Sequence, residues 1–218
     1  VLRKHFDKLN PDGKSQKVLV TMCGMAVDMT WLADKGMEVI GVDIALPALT
    51  KFIAQSGQDW TETTAPKLGP DAKLFTRNDG NIKLYWGDVL EFTEELEGTF
   101  DSIFDVAGIQ VLDSINARLF AKKIKSLLNP GGRLLLEAGI YDTKLLDSDN
   151  FNPPLPVPPP YSVTPKDVQE LFEPECSVEL IDQIHFDTYF YGHEKINYNY
   201  IITKKQEQPG HSKVKVES

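Results

Sequence analysis

Cysteines and long apolar runs are both scarce in this sequence. The two cysteines, Cys23 and Cys176, lie far apart and form no C-x-x-C pair, which is typical of a reducing compartment. No apolar run approaches the roughly 20 residues that a membrane-spanning helix requires, and no signal-peptide pattern is visible. We therefore expect a cytoplasmic protein that does not associate with a membrane.

Basic residues and clusters of metal ligands are also few. The 23 Lys and Arg residues are outnumbered by 32 Asp and Glu residues, which gives a net charge of -9. Because nucleic acids bind to clustered cations, this excess of acid argues against a nucleic-acid partner. The histidines and cysteines are scattered without the spacing of metal ligands, so we predict no metal site.

The chain has enough apolar residues for one buried core. Its 218 residues are 41% apolar, which suits a single α/β domain. We predict that this domain covers residues 1–205 and that residues 206–218 form a polar, disordered tail. We also expect the protein to be a monomer.

One stretch, residues 17–43, organises the rest of the chain. Residues 17–21 are apolar and β-branched, as in a strand buried on both faces. A turn at 22–24 follows, and the apolar spacing over residues 26–35 predicts a helix. The next strand ends at Asp43, about 20 residues beyond the turn, where nucleotide-binding α/β folds place the acid that holds a ribose. The stretch therefore predicts the nucleoside-binding half of a doubly wound sheet.

Strands and helices alternate along the remaining chain. We predict a short N-terminal amphipathic helix, a helix over 47–56, a hairpin over 73–86, a strand over 100–105, a helix over 114–128, a strand over 133–138, a helix over 165–172 and closing strands over 178–185 and 196–203. Residues 57–71 read as irregular, and the proline-dense residues 150–165 read as an extended loop. The short final connection favours an antiparallel pair, because parallel strands need a longer crossover. The pattern predicts an α/β fold with a Rossmann-like, mostly parallel sheet, an antiparallel closing strand and helices on both faces, as in class I methyltransferases.

Candidate binding residues follow four predicted strands, at the edge where open α/β sheets bind ligands. The cofactor-binding candidates are Met22, Cys23, Gly24, Asp43, Asp88, Val89, Asp105 and Val106. Asp43 can accept hydrogen bonds from both hydroxyls of a ribose, and Asp88 can accept one from the exocyclic amine of adenine. Asp105 opens the loop that a methyl acceptor would approach. A turn or helix-capping role is the alternative for each aspartate.

The turn after the first strand separates two kinds of cofactor. It lacks G-x-G-x-x-G, because Gly24 is followed by Met25, Ala26 and Val27, and a pyrophosphate would lose its close approach to the helix. A sulfonium cofactor has no phosphate to bind. This favours S-adenosylmethionine and leaves a dinucleotide-dependent oxidoreductase as the weaker alternative.

The sequence of this stretch also resembles a known family. MCGMAVDMTWLADKGMEVIGVDI (22–44) is similar to the L-C-G-K-A-V-D/E-M-x-W pattern of thiopurine S-methyltransferases, and GNIKLYW, FDSIFD, SLLNPGG, YSVTPKDVQELF and YIITKK match in order. The resemblance implies contacts with S-adenosylmethionine at Met22, Asp43, Asp88 and Val89. It implies in-line methyl transfer to a small-molecule thiol or aromatic sulfur acceptor.

Two departures from the family pattern remove arginines that serve substrate binding, and a third falls in the turn after the first strand. Val106 stands where the family has an arginine, Met25 stands where it has a lysine, and residues 186–194 contain no counterpart of a second arginine. An anionic thiopurine would lose two charge-assisted partners. Aromatic residues stand nearby instead: Tyr161, Phe186, Tyr189, Phe190 and Tyr191. We therefore expect a neutral thiol or aromatic sulfur acceptor, oriented by Asp105; the alternative is a catalytically weak paralogue that binds S-adenosylmethionine as a sensor or interaction module.

Overall fold

A computed structural model of the protein describes residues 1–141, 159–187 and 194–206. Its strands are β1 (Lys17–Thr21), β2 (Glu38–Asp43), β3 (Trp60–Thr64), β4 (Lys73–Arg77), β5 (Ile82–Trp86), β6 (Phe100–Val106), β7 (Leu128–Tyr141), β8 (Cys176–Phe186) and β9 (Lys195–Lys204). Its helices are α1 (Leu2–Leu9), α2 (Asp28–Asp34), α3 (Leu46–Ser56), α4 (Glu94–Glu97), α5 (Ser114–Leu127) and α6 (Pro165–Phe172).

The described strands form one sheet in the order β3-β4-β5-β2-β1-β6-β7-β9-β8. The central strands from β5 to β7 are parallel, whereas β4 and β9 are antiparallel to their neighbours. Because β2 and β5 lie on one side of β1 and β6 and β7 on the other, the strand order reverses at β1. A reversal of this kind opens a crevice at the carboxyl ends of the strands. The predicted α/β fold, with its antiparallel closing strand, is confirmed.

Both faces of the central sheet are buried. On β1, Val18 and Leu19 point to opposite faces, and neither is accessible to solvent. Val18 belongs to the core packed by α1, α2 and α3, and Leu19 to the core packed by α5 and α6. Each fully buried aliphatic side chain contributes about 1.5–3 kcal/mol. This double burial explains why the middle of β1, from Val18 to Val20, is apolar.

Two differences from the sequence-based prediction concern strands. The expectation of irregular structure over 57–71 is wrong for β3, which pairs with β4 from Trp60 opposite Arg77 to Thr64 opposite Lys73. The side chains of β3 after Trp60 are exposed, so its sequence has no apolar alternation to reveal it. Residues 129–132, which lie between the predicted helix over 114–128 and the predicted strand over 133–138, are instead part of β7, where the pairing with β6 shifts.

The described residues contain no helix that is long and apolar enough to cross a membrane. Most of the predicted proline-dense loop and nearly all of the predicted tail lie outside the described residues. The single-domain boundary at residue 205 therefore stays a prediction.

Candidate functional site

The carboxylate of Asp43 is fixed at the end of β2 by two backbone donors. The N–H of Gly24 donates to Oδ2 over 2.7 Å, and the N–H of Ala45 donates to Oδ1 over 2.7 Å. Gly24 adopts φ +48°, a conformation that side chains disfavour. Each carboxylate oxygen can accept a second hydrogen bond, and Asp43 keeps 8% of its surface exposed. The arrangement can therefore bind two adjacent hydroxyls without moving the carboxylate.

The turn between β1 and α2 combines strain with close packing. Met22 has φ 45°, which is uncommon for a side-chain-bearing residue and is often found at functional sites. The Cys23 side chain is buried in the core, and burial raises the pKa of its thiol. A Cβ on Gly41 would lie 2.9 Å from Cys23 Sγ. The predicted contact of Cys23 with a cofactor would therefore use its backbone.

A second wall of the crevice follows β5. The exposed side chain of Asp88 accepts a hydrogen bond from Leu90 N–H over 2.8 Å and so caps the short 3₁₀ helix that begins at Val89. Val89 itself is buried. The capping alternative for Asp88 is therefore present, and its exposed carboxylate also remains available to a ligand.

A cavity of about 270 Å³ lies beside Asp88 and is lined by Ile44, Leu68, Gly69, Pro70, Asp71, Ala72, Trp86, Gly87 and Asp88. Ile44 follows Asp43 directly and is 70% exposed, although it is an aliphatic side chain. Trp86 supports it by donating its indole N–H to the Ile44 carbonyl over 3.0 Å. Ile44 is not among the residues predicted from the sequence; its signal there is an apolar residue immediately after the acid that ends a strand.

The carboxylate of Asp105 is fully buried. It accepts hydrogen bonds from Thr21 Oγ1–H over 2.6 Å and from Ile109 N–H over 3.2 Å. Burial raises the pKa of Asp105 to about 6, although these hydrogen bonds act in the opposite direction. Asp105 thereby ties the end of β1 to the loop after β6, where Ala107 has φ 56°. Its predicted role in orienting an acceptor stays a prediction, and in this geometry Asp105 would act through the loop.

The residues that we predict to face a methyl acceptor include an exposed apolar side chain. Val106 is 44% exposed at the end of β6. The buried side chain of Gln110 donates to the carbonyls of Gly139 and Tyr161, each over 3.1 Å, so Tyr161 lies against the loop after β6. Phe186 ends β8 at the same edge of the sheet.

Three of the aromatic residues expected near the acceptor, Tyr189, Phe190 and Tyr191, lie outside the described residues. Within the described ranges, no three His, Cys, Asp or Glu side chains are grouped so that they could hold a metal ion.

Comparison with known proteins adds a family and a fold. A family model described as thiopurine S-methyltransferase (TPMT) matches residues 1–204. The chain is 28% identical over 184 residues to the probable thiopurine S-methyltransferase of Danio rerio, covering 84% of this chain and 75% of that protein.

Two solved structures share the architecture. TehB from Haemophilus influenzae has a TM-score of 0.63 at 15% identity, covering 94% of this chain and 63% of that one. The N-methyltransferase NodS from Bradyrhizobium japonicum, in complex with S-adenosyl-L-homocysteine, has a TM-score of 0.58 at 12% identity, covering 91% and 84%. At these identities the likeness concerns the fold.

Proposed function

This chain belongs to the thiopurine S-methyltransferase family, and we propose that it methylates a small, neutral thiol or aromatic sulfur compound with S-adenosylmethionine. The family membership confirms the resemblance read from residues 22–44. The observation that carries the proposal is the Asp43 carboxylate, held open to the crevice at the point where the strand order reverses.

The residues at this edge fit the nucleoside of S-adenosylmethionine. Asp43 has free acceptor capacity for the ribose hydroxyls, because its backbone partners occupy one position on each oxygen. Ile44 offers an exposed aliphatic surface for the adenine ring, and the nearby carboxylate of Asp88 can accept from the adenine amine. The backbone of Met22, Cys23 and Gly24 would contact the amino-acid part. When bound, S-adenosylmethionine supplies the methyl group that passes in line to the acceptor sulfur.

The acceptor would approach beside Val106. This exposed valine offers apolar contact but no charge, which supports a neutral acceptor over an anionic thiopurine. A thiolate is already nucleophilic, so the protein mainly has to align the sulfur and exclude water. Asp105 and Thr21 contribute by fixing the ends of β1 and β6 against each other.

We further propose that the protein works as a cytoplasmic monomer without nucleic-acid or membrane partners. The net charge of -9 supports the absence of a nucleic-acid partner. Sedimentation at several protein concentrations would detect self-association.

A methyl-transfer assay with a panel of thiols tests the proposed reaction. We expect S-adenosylhomocysteine to form with thiophenols and other neutral aromatic thiols, at a rate well above that without enzyme. The Asp34→Asn variant should retain this activity, because Asp34 is an exposed residue at the end of α2. Binding of S-adenosylhomocysteine without transfer to any thiol or selenol would contradict the proposal and favour a cofactor-binding sensor.

A further inference from the structure

The acceptor side of the crevice contains a charged residue that the cofactor does not require. Val106 on β6 is in register with Glu137 on β7, and Glu137 is in turn opposite Asn199 on β9. Neighbours in register present their side chains to the same face of a sheet. Glu137 therefore lies beside the exposed Val106, and Val106 stands where the family pattern has an arginine. Glu137 itself is only 7% exposed.

Two further polar side chains reach Glu137 across the same face. Gly139 is opposite Asn197, and Tyr141 is opposite Lys195. A Cβ on Gly139 would lie 2.7 Å from Asn197 Oδ1 and 2.8 Å from Lys195 Cε, so the glycine provides the space in which both side chains lie. Asn197 Nδ2–H donates to Glu137 Oε1 over 2.9 Å. We call Glu137, Lys195, Asn197 and Asn199 the β7–β9 polar cluster.

The amides of this cluster are not satisfied by the part of the chain that the structure describes. Asn197 Oδ1 and both side-chain polar atoms of Asn199 are buried and have no hydrogen-bond partner there. Asn199 is 0% exposed and Asn197 is 5% exposed. Leaving a buried polar group unpaired is unfavourable, because the group has lost its hydrogen bonds to water. Such groups in a native protein call for a partner, and a ligand that both donates and accepts hydrogen bonds would supply one.

The carboxylate gives the cluster its electrostatic character on the side of Val106. Burial raises the pKa of Glu137, and the Lys195 ammonium counteracts this and favours the ionised form. Glu137 is the register neighbour of Val106, whereas Lys195 lies opposite Tyr141, further along β7. An anion that enters beside Val106 would therefore meet the Glu137 carboxylate before the Lys195 ammonium, whereas a cation or a neutral hydrogen-bond donor would find an acceptor.

We propose that the β7–β9 polar cluster is a subsite for the polar end of the sulfur acceptor, and that Glu137 makes the enzyme prefer amine- or hydroxyl-bearing thiols over carboxylate-bearing ones. The inference rests on the proposed function, since it concerns the acceptor at the same site, and it adds ammonium-bearing thiols to the neutral acceptors proposed above. Glu137 is a specificity-determining residue in this account and takes no part in the methyl transfer.

Three matched aromatic thiols test the subsite. Thiophenols with an aminomethyl, a hydroxymethyl or a carboxyl group in the para position differ mainly in charge. We expect the wild type to have a higher kcat/KM for the first two than for the third. Glu137→Gln should lower the ratio of kcat/KM for the aminomethyl compound to kcat/KM for the carboxyl compound by about tenfold. This is the size of effect expected when one charge interaction is lost at a partly buried site. Glu94→Gln, which removes an exposed carboxylate on α4, should leave the ratio unchanged.

A second variant guards against misfolding of Glu137→Gln. Val106→Arg alters an exposed side chain and places a cation beside Glu137, so it should shift the preference toward the carboxyl compound without disturbing the buried amides. Calorimetric binding of S-adenosylhomocysteine to each variant shows that its cofactor site is intact. Unchanged ratios in both variants, with that binding intact, would overturn the inference. Failure of the proposed function itself is distinguishable, because the wild type would then methylate none of the three thiols.

Discussion

The proposed cofactor side and the proposed acceptor side of this crevice are held in place by different kinds of hydrogen bond. On the cofactor side, backbone N–H groups of Gly24 and Ala45 hold Asp43 in place. On the acceptor side, side chains bind side chains, as with Asn197 and Glu137, and several amide atoms are left without a partner in the described chain. A site organised by backbone groups tolerates many substitutions around it, whereas one organised by side chains changes with each of them. Asp43, Asp88 and Val89 match the family's cofactor contacts, whereas a valine stands at position 106 in place of the family's arginine.

Among the variants considered, we expect the largest loss of stability on removal of the Thr21–Asp105 hydrogen bond, which joins the ends of β1 and β6. Thr21→Val removes the hydroxyl that donates to the buried carboxylate of Asp105, and we expect a loss of about 2 kcal/mol in the free energy of unfolding at pH 8. Chemical denaturation of this variant, compared with Thr63→Val on the exposed surface of β3, measures the loss.

The same variant should show a defined pH dependence. Because burial raises the folded-state pKa of Asp105 to about 6, stability falls as the pH rises through that value and the carboxylate ionises. The loss caused by Thr21→Val should thus be larger at pH 8 than at pH 5, where Asp105 is mostly protonated. An equal loss at both pH values would show that the hydroxyl does not stabilise the charged form.

Because the amide of Asn199 is buried without a partner in the described chain, we expect its removal to stabilise the protein and to weaken binding of the acceptor. Asn199→Leu replaces a fully buried amide by an apolar side chain of similar shape. We expect the free energy of unfolding to rise by about 1 kcal/mol, because two unpaired polar atoms disappear. Thermal unfolding measures this gain, and the methyl-transfer assay should show a higher KM for the hydroxymethyl thiol. A destabilised variant would indicate that Asn199 is satisfied in the folded protein.

A smaller effect is expected on the cofactor side, in the affinity for S-adenosylhomocysteine. Ile44→Ala removes aliphatic surface that we place against the adenine ring, and we expect S-adenosylhomocysteine to bind about fivefold more weakly, the value of a partly exposed apolar contact. Ile115→Ala is a suitable control, because Ile115 is similarly exposed on α5. Stability should not change in either variant. Equal affinities for the wild type and Ile44→Ala would place the adenine elsewhere.

Much of this fold could be predicted from the sequence because its buried strands carry local signals. The middle of β1, from Val18 to Val20, is apolar, and the distance from the turn to Asp43 is fixed by one helix and one strand. The strand β3 had no such signal, since four of its five side chains are exposed. Local sequence also could not distinguish Asp43, the last residue of β2, from Asp105, the residue before the last of β6. Only the packing reveals that Asp105 is buried against Thr21.

The β7–β9 polar cluster could not be predicted from the sequence for a related reason. Glu137 and Asn199 are 62 residues apart in the chain, and they become neighbours only through the register of β7 with β9. Ile44 is different, because its exposure next to Asp43, the predicted ribose-binding acid, could have been anticipated from the crevice that the fold implies.

The central claim is that Asp43 anchors the cofactor, and calorimetric titration with S-adenosylhomocysteine tests it most directly. We expect clear binding to the wild type and to Asp34→Ala, and a loss of at least about tenfold in affinity for Asp43→Ala, because two charge-assisted hydrogen bonds disappear. NAD should not bind to any of the three proteins. Undiminished binding to a folded Asp43→Ala protein, or binding of NAD in preference to S-adenosylhomocysteine, would contradict the account.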